Sequence, residues 1–282
     1  GQAFDQLAQQ LSEPSSNLPD PSSEDLQPII NLFTQGQLQQ ALSYALEMLE
    51  RFPNSVVLYN ITGVFNARLM RFDAAIDSYK RALNIKPDYA TTHINMGSAL
   101  KDMGDPEAAI GCYRQALKIK PDYAEAYYNM GMALNDKGDP QAAIGCYKQA
   151  LKIKPDYADA YNNIGIALQG KGDLEGAIES YKQALQIKPD YAKVYYNMGC
   201  ALYDKGDLEI AIDSYTQAIN INPDYAEAYN NVGIVLQDKG DSDEAIKSYK
   251  QALKINPDYA EGHNNMGSAL QDKGDLEAAI DS

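Results

Sequence analysis

Seven prolines, Pro53, Pro87, Pro121, Pro155, Pro189, Pro223 and Pro257, stand 34 residues apart along the chain. Spacing this regular constrains the fold more than any single motif, because it demands one small supersecondary unit copied and stacked many times. The copies are visible directly: residues 124–157 and 158–191 are identical at 22 of 34 places. In phase with the prolines run two rows of glycine, Gly97, Gly131, Gly165, Gly199, Gly233 and Gly267, and Gly104, Gly138, Gly172, Gly206, Gly240 and Gly274. A length of 282 residues, which would otherwise suggest roughly two globular domains, therefore describes an array of small units that each pack only on their neighbours.

Within one unit, Ala126, Tyr127, Met130, Ala133 and Leu134 recur at steps of three and four, the apolar stripe of an amphipathic helix. Lys137-Gly138-Asp139-Pro140 closes it: Gly138 suits the left-handed conformation that ends a helix, Asp139 can cap the next, and Pro140 fits its first turn. A second helix follows, with Ala143, Ile144, Tyr147, Ala150, Leu151 and Ile153 as its apolar face. It stops at Lys154-Pro155, since the residue before proline is pushed out of the helical region. Neither helix can bury its stripe alone, and stacking successive pairs creates the core.

The run Tyr127, Met130-Gly131, Leu134, Gly138, Ala143, Tyr147, Ala150, Pro155 resembles the tetratricopeptide repeat (TPR), whose pattern of aromatic, Leu-Gly, Tyr, Ala, aromatic, Ala and Pro it follows place by place. The resemblance implies an all-α fold, a right-handed α-solenoid superhelix of antiparallel helix pairs. The phase gives a divergent repeat at 22–55, six repeats over 56–259 and a partial one at 260–282, together 261 of 282 residues. Pro28 and Ile29 break the pattern in the first unit. Met70 stands where the other units have the turn glycine, so that turn is expected to be atypical. Residues 1–21 fall outside the solenoid: Phe4, Leu7, Ala8 and Leu11 share one helical face, and a stretch rich in Pro and Ser follows as a linker. Ser282 falls inside a second helix, which reads as a fragment of a longer chain.

Composition then excludes several functions. Lys+Arg 24 against Asp+Glu 39 gives a net charge of -15, unsuited to neutralising phosphates, so no nucleic-acid partner is expected. No apolar run approaches the roughly 18 to 20 residues of a membrane span. His93 and His263 occupy the place of Tyr127, Tyr161, Tyr195 and Tyr229 and read as packing substitutes, too far apart to share a metal. Cys112 and Cys146 alternate with Ser78, Ser180, Ser214 and Ser248, and stacked layers about 10 Å apart exceed disulfide reach. With Cys200 they read as free thiols, which suits a reducing, cytoplasmic setting. No nucleophile, base and orienting group cluster, and no cofactor, catalytic residue or metal site is expected.

Two rows of polar residues remain. Asn95, Asn129, Asn163, Asn197, Asn231 and Asn265 share one place on the first helices. An amide both donates and accepts, so it can pair with a peptide backbone of any sequence. Layers about 10 Å apart would address every third residue of an extended chain rising about 3.3 Å per residue. This row resembles the asparagine ladder in the TPR superhelix of O-GlcNAc transferase, and the family resemblance implies that first helices line the concave, ligand-binding face. The plainer alternative, that the amides bridge neighbouring first helices, stands beside it.

Asp102, Asp136, Asp204, Asp238 and Asp272 form the second row, near first-helix C-termini where the dipole disfavours an anion. Either the row attracts a basic peptide, or duplication copied a tolerated residue, with Lys137, Lys205, Lys239 and Lys273 next door as compensation. Glu125, Glu227 and Glu261 follow Asp122, Asp224 and Asp258 by three residues, the spacing of a capping box. The clamp that chaperone-binding TPRs close on a C-terminal carboxylate is not expected, because Tyr128, Asn162, Glu125 and Asp159 stand in its basic places.

The leading expectation is a non-enzymatic scaffold that binds an extended peptide or protein segment, favouring basic partners. Two alternatives stand: the substrate-recruiting arm of a glycosyltransferase-like enzyme whose catalytic domain lies beyond Ser282, and a homo-oligomer linked through the N-terminal helix or the open terminal repeat.

Overall fold

The computed structural model describes residues 20–274. The helix expected near the N-terminus, most of its linker, and residues 275–282 lie outside the described residues. Within them the chain forms fifteen α-helices and no strand. They pair in order as α1 (Ser23–Thr34) with α2 (Leu38–Arg51), α3 (Val56–Arg68) with α4 (Phe72–Ile85), α5 (Ala90–Asp102) with α6 (Pro106–Ile119), and α7 (Ala124–Asp136) with α8 (Pro140–Ile153). Then come α9 (Ala158–Gly170) with α10 (Leu174–Ile187), α11 (Ala192–Lys205) with α12 (Leu208–Ile221), α13 (Ala226–Asp238) with α14 (Ser242–Ile255), and α15 (Ala260–Lys273). The chain divides into two compact units, one ending at Lys154 and the other beginning at Pro155, so α1–α8 belong to the first and α9–α15 to the second.

The turn chemistry follows the sequence. Gly104, Gly138, Gly172, Gly206, Gly240 and Gly274 all take φ between 81° and 89°. Met70 takes φ 58°, so the turn expected to be atypical keeps the common geometry and forces a side-chain-bearing residue into it. Asp105, Asp139 and Asp173 cap α6, α8 and α10 by accepting from Ala108, Ala142 and Gly176 N–H, and Pro106 and Pro140 sit in the first turn. In the divergent first unit a capping box between Ser22 and Asp25 starts α1, which runs on through Pro28. The boxes expected at Glu125, Glu227 and Glu261 do not form: the N-caps are Tyr123, Tyr225 and Tyr259, with no side-chain cap bond.

The core holds Tyr79, Tyr113 and Tyr147 in the first unit and Tyr181, Tyr215 and Tyr249 in the second, each essentially sealed from solvent. Each ring lies against the glycine of its partner first helix; a methyl group on Gly131 would sit 2.5 Å from Tyr147, and one on Gly199 2.6 Å from Tyr215. The apolar-Gly pair of the repeat thus exists so that the two helices can close on the ring between them. Burying one such ring contributes several kcal/mol, at about 25 cal/mol per Å² over roughly 150 to 250 Å². Buried alanines flank it, for example Ala143 and Ala150 around Tyr147.

His93 and His263 do take the tyrosine place, and each ring Nε2 meets the carbonyl of the boundary proline, Pro87 at 3.0 Å and Pro257 at 2.9 Å. The three cysteines are free; burial pushes the Cys112 thiol up to about 11. The Lys row reaches other carboxylates: Lys137, Lys239 and Lys273 pair with Glu107, Glu209 and Asp243, 30 residues back on the preceding second helix, and Lys205 pairs with Asp207 at 3.0 Å and Glu175 at 4.0 Å. These exposed pairs fix orientation more than they add stability.

Candidate functional site

Both polar rows lie on the first helices, and each is drawn into the same pattern of bonding, a side chain on one first helix meeting a residue 35 places away on the next. In the amide row Asn95 Nδ2 donates to Asn60 Oδ1 at 3.1 Å, Asn197 to Asn162 at 2.9 Å and Asn265 to Asn230 at 3.0 Å. The acceptors Asn60, Asn162 and Asn230 share the place just before the ladder place, one repeat earlier, and are buried. Where that place holds tyrosine, Asn231 Nδ2 donates instead to the Tyr196 hydroxyl at 3.3 Å, and also to Tyr215 at 3.4 Å. Asn163 accepts on Oδ1 from Asn162 Nδ2 at 3.2 Å. These amides therefore bridge neighbouring first helices or are held within one. Nothing in the six asparagines alone showed this, because the acceptors sit at a place where Asn alternates with Ile94, Tyr128 and Tyr196.

The carboxylate row behaves alike. Gln169 Nε2 donates to Asp204 Oδ2 at 2.8 Å, the Tyr203 hydroxyl to Asp238 Oδ2 at 2.6 Å, and Gln237 Nε2 to Asp272 Oδ2 at 2.6 Å, each across 35 residues. The donors come from the place just before the Asp place, one repeat earlier. This accounts for Asp204, Asp238 and Asp272 at an otherwise unfavourable helix end: each receives a charge-assisted hydrogen bond that offsets a dipole term of about 0.3 to 1 kcal/mol. Asp238 in turn holds the Tyr203 phenol protonated, its pKa pushed up to about 12. All five aspartates are exposed and keep their negative charge available to solvent.

One helix departs from both patterns. Asn129 and Asp136 lie on α7, and neither has a hydrogen-bond or ionic partner among the described residues. The reasons are two substitutions on α5. The place that should accept from Asn129 holds Ile94, 2% exposed and without a polar atom. The place that should donate to Asp136 holds Lys101, which pairs at 3.0 Å with its own neighbour Asp102. Asn129 is 8% exposed, yet neither of its amide atoms is shut off from the surface, unlike Asn60 Nδ2, which is buried without a partner.

In the second unit the same face carries an aromatic patch. Tyr196 stacks on Tyr225 with ring centroids 5.0 Å apart and tilts against Tyr215 at 5.8 Å. Cys200 lies among them, its thiol pushed up by burial. Sequence reading passed over this patch, because Tyr196 stands at the variable place and Tyr225 at the helix boundary. No group of His, Cys, Asp and Glu suited to a metal occurs among the described residues.

The TPR repeat matches residues 71–104, 97–138, 131–172, 170–206, 199–240 and 236–274. The chain belongs to the TPR repeat family. Similar TPR solenoids are found among solved structures. A chain of the APC/C hetero-tetramer Cut9-Hcn1 is 18% identical at a TM-score of 0.68 over 86% of this chain; this TPR chain spans about half of that one, 48%. MamA is 30% identical at a TM-score of 0.55, covering 59% of this chain and 97% of its own. YrrB, described as a TPR protein with an unusual peptide-binding site, is 22% identical at a TM-score of 0.55, covering 71% of this chain and 99% of its own. A comparison with curated protein sequences matches none. TPR repeats in general mediate protein–protein interaction, and among the described residues no helix is long and apolar enough to cross a membrane.

Proposed function

We propose that this TPR chain is a non-catalytic scaffold that holds an extended, basic peptide segment along the face of its first helices. The observation that carries this reading is the row of exposed aspartates, Asp102, Asp136, Asp204, Asp238 and Asp272, repeated on that face beside the amide row in a chain of net charge -15. Asp204, Asp238 and Asp272 each engage Oδ2 within the stack, so the row is held in place while its charge stays on the surface. A peptide-binding TPR protein among the structural neighbours supports the same use of the fold.

The test is fluorescence anisotropy with two labelled, acetylated and amidated peptides of about twelve residues, Ser and Thr throughout except for Lys, or Glu, at every third position to match the layer spacing. The Lys peptide should bind, with affinity falling as salt rises, and the Glu peptide should not. Equal binding of both, or of neither, would sink the reading.

A further inference from the structure

From α5 to α15 the carboxylate row is interrupted once. Asp102, Asp136, Asp204, Asp238 and Asp272 share one place of the repeat, and on α9 that place holds Gly170. Nothing in the stack requires a glycine there. Gly170 is the last residue of α9, takes no left-handed φ, and a methyl group on it would meet no atom within 4 Å. Glycine at a helical position is unfavourable relative to alanine, and here neither packing nor the backbone asks for it. One turn earlier, on the same side of α9, stands Ile166, 38% exposed. Met132 and Ile234, at the same place of other copies, are half-buried.

The helix α15 shows how these two places lie. There they hold Ser268 and Asp272, and one amide of the preceding first helix, Gln237 Nε2, donates to both, at 3.2 Å to Ser268 Oγ and 2.6 Å to Asp272 Oδ2. The two places therefore open onto one spot of the face. On α9 that spot carries an aliphatic side chain and bare backbone, while α11, α13 and α15 of the same unit carry the exposed Asp204, Asp238 and Asp272. A cation laid over α9 would be desolvated against Ile166 with no counter-charge at 170. An aliphatic side chain laid there would instead cover apolar surface and, with no Cβ at Gly170, reach the helix backbone.

Resting on the reading above, we propose that the second unit selects a segment with an aliphatic residue at one end of a series of lysines or arginines spaced three apart. The aliphatic side chain lies on Ile166 and Gly170 of α9, and the cations meet Asp204, Asp238 and Asp272 on α11, α13 and α15. Layers about 10 Å apart against a rise of about 3.3 Å per residue give the three-residue step. Asp204, Asp238 and Asp272 keep Oδ1 for the ligand while Oδ2 stays bonded within the stack, so the cations displace nothing. The aspartates attract any cationic segment. The uncharged step at α9 sets the register, because one alignment alone puts the aliphatic residue over Ile166 and a cation over each carboxylate of this unit.

The probes are the Lys peptide above and three derivatives with Leu in place of its first, second or last lysine. The three share one net charge, so attraction to the acidic face alone gives them one affinity. In fluorescence anisotropy one of the two terminal derivatives, the one whose Leu falls over α9, should bind about fivefold tighter than the other two. Gly170→Asp completes the carboxylate row without meeting a neighbour. It should cancel that preference and tighten the Lys peptide by about threefold. Ile166→Ser should cancel the preference and leave the Lys peptide within about twofold. Ile210→Ser, at an exposed isoleucine of the second helix α12, should change neither. Circular dichroism checks that each variant is folded, and should Ile166→Ser unfold, Gly170→Asp still decides. Equal affinity of the three derivatives, tightest binding of the one with Leu at the second lysine, a preference that survives both α9 variants, or one lost equally in Ile210→Ser would overturn the selection and leave the scaffold reading standing. No binding of the Lys peptide to the unaltered protein would overturn both.

Discussion

The step from α5 to α7 and the step from α9 to α11 are copies of one repeat, and they differ in what their polar side chains do. From α9 to α11, Asn162 accepts from Asn197 and Gln169 donates to Asp204. From α5 to α7, Ile94 and Lys101 stand at the same two places, and Asn129 and Asp136 are left open. The fold is indifferent to the exchange, because the helices are held by the Tyr–Gly contact and the alanine column, which both steps share. What the difference teaches is that in a repeat array the invariant places build the scaffold, and the neighbours of invariant places decide which polar side chains are engaged within the stack.

The largest expected effect tests the shared part. Tyr147→Ala, behind Gly131 of α7, and Tyr215→Ala, behind Gly199 of α11, each delete a sealed ring and should each cost about 3 to 5 kcal/mol in urea unfolding. A difference between them much beyond about 1 kcal/mol would mean that the two steps do not share one scaffold.

The next effect tests the part that differs. Asn162→Ala removes the acceptor of Asn197 Nδ2 and should cost about 1 to 3 kcal/mol, the penalty of a polar group left unsatisfied. Asn129→Ala removes an amide with no partner; the better helix propensity of alanine, about 0.6 kcal/mol, offsets lost packing, so the net change should stay below about 1 kcal/mol. Equal costs would erase the distinction between the two steps.

Much of this molecule was legible before any coordinates. The period of 34, the two helices of each unit, Asp139 and Pro140 at a helix start and Gly138 at a positive φ followed from residue chemistry that acts within a few positions. The polar rows were legible as rows and not as bonds. Their partners lie 35 residues away on a different helix, and whether Asn129 is engaged depends on whether residue 94 carries an oxygen. The capping boxes failed for a related reason: the spacing of Asp122 and Glu125 is right, but the helix begins at Ala124 with Tyr123 as its cap. Spacing alone places a residue on a face, and only the packed neighbour says whether it is free.

Met70 makes the same point with the opposite sign. Here an exchange at a fixed place, Gly for Met, changes nothing in the geometry and leaves strain, since φ 58° costs a residue with a Cβ about 1 to 2 kcal/mol. The side chain is 76% exposed and packs on little. Met70→Gly should therefore stabilise the protein by about 0.5 to 1 kcal/mol, after the extra chain entropy of glycine in the unfolded state is subtracted. A Tm that falls would show that Met70 makes contacts the turn depends on.

The smallest effect concerns Tyr203, which donates to Asp238 where α5 has Lys101 and Asp136 receives nothing. The phenol is raised from 10.0 to about 12, first by the hydrogen bond to Asp238 and then by burial, because ionising it would set two anions side by side. Above pH 10 the unfolded chain therefore gives up this proton before the folded one does. The bond's contribution is complete below that pH and is lost as the pH rises toward 12. Tyr203→Phe should lower stability slightly at about pH 8 and make the fall between about pH 10 and 11 shallower than in the unaltered protein. The other raised tyrosines, Tyr225 and Tyr259 among them, keep most of the alkaline slope in place. An identical slope in the two proteins would mean that the Asp238 carboxylate does not restrain Tyr203, and the α11 to α13 step would then leave its carboxylate as open as α7 does.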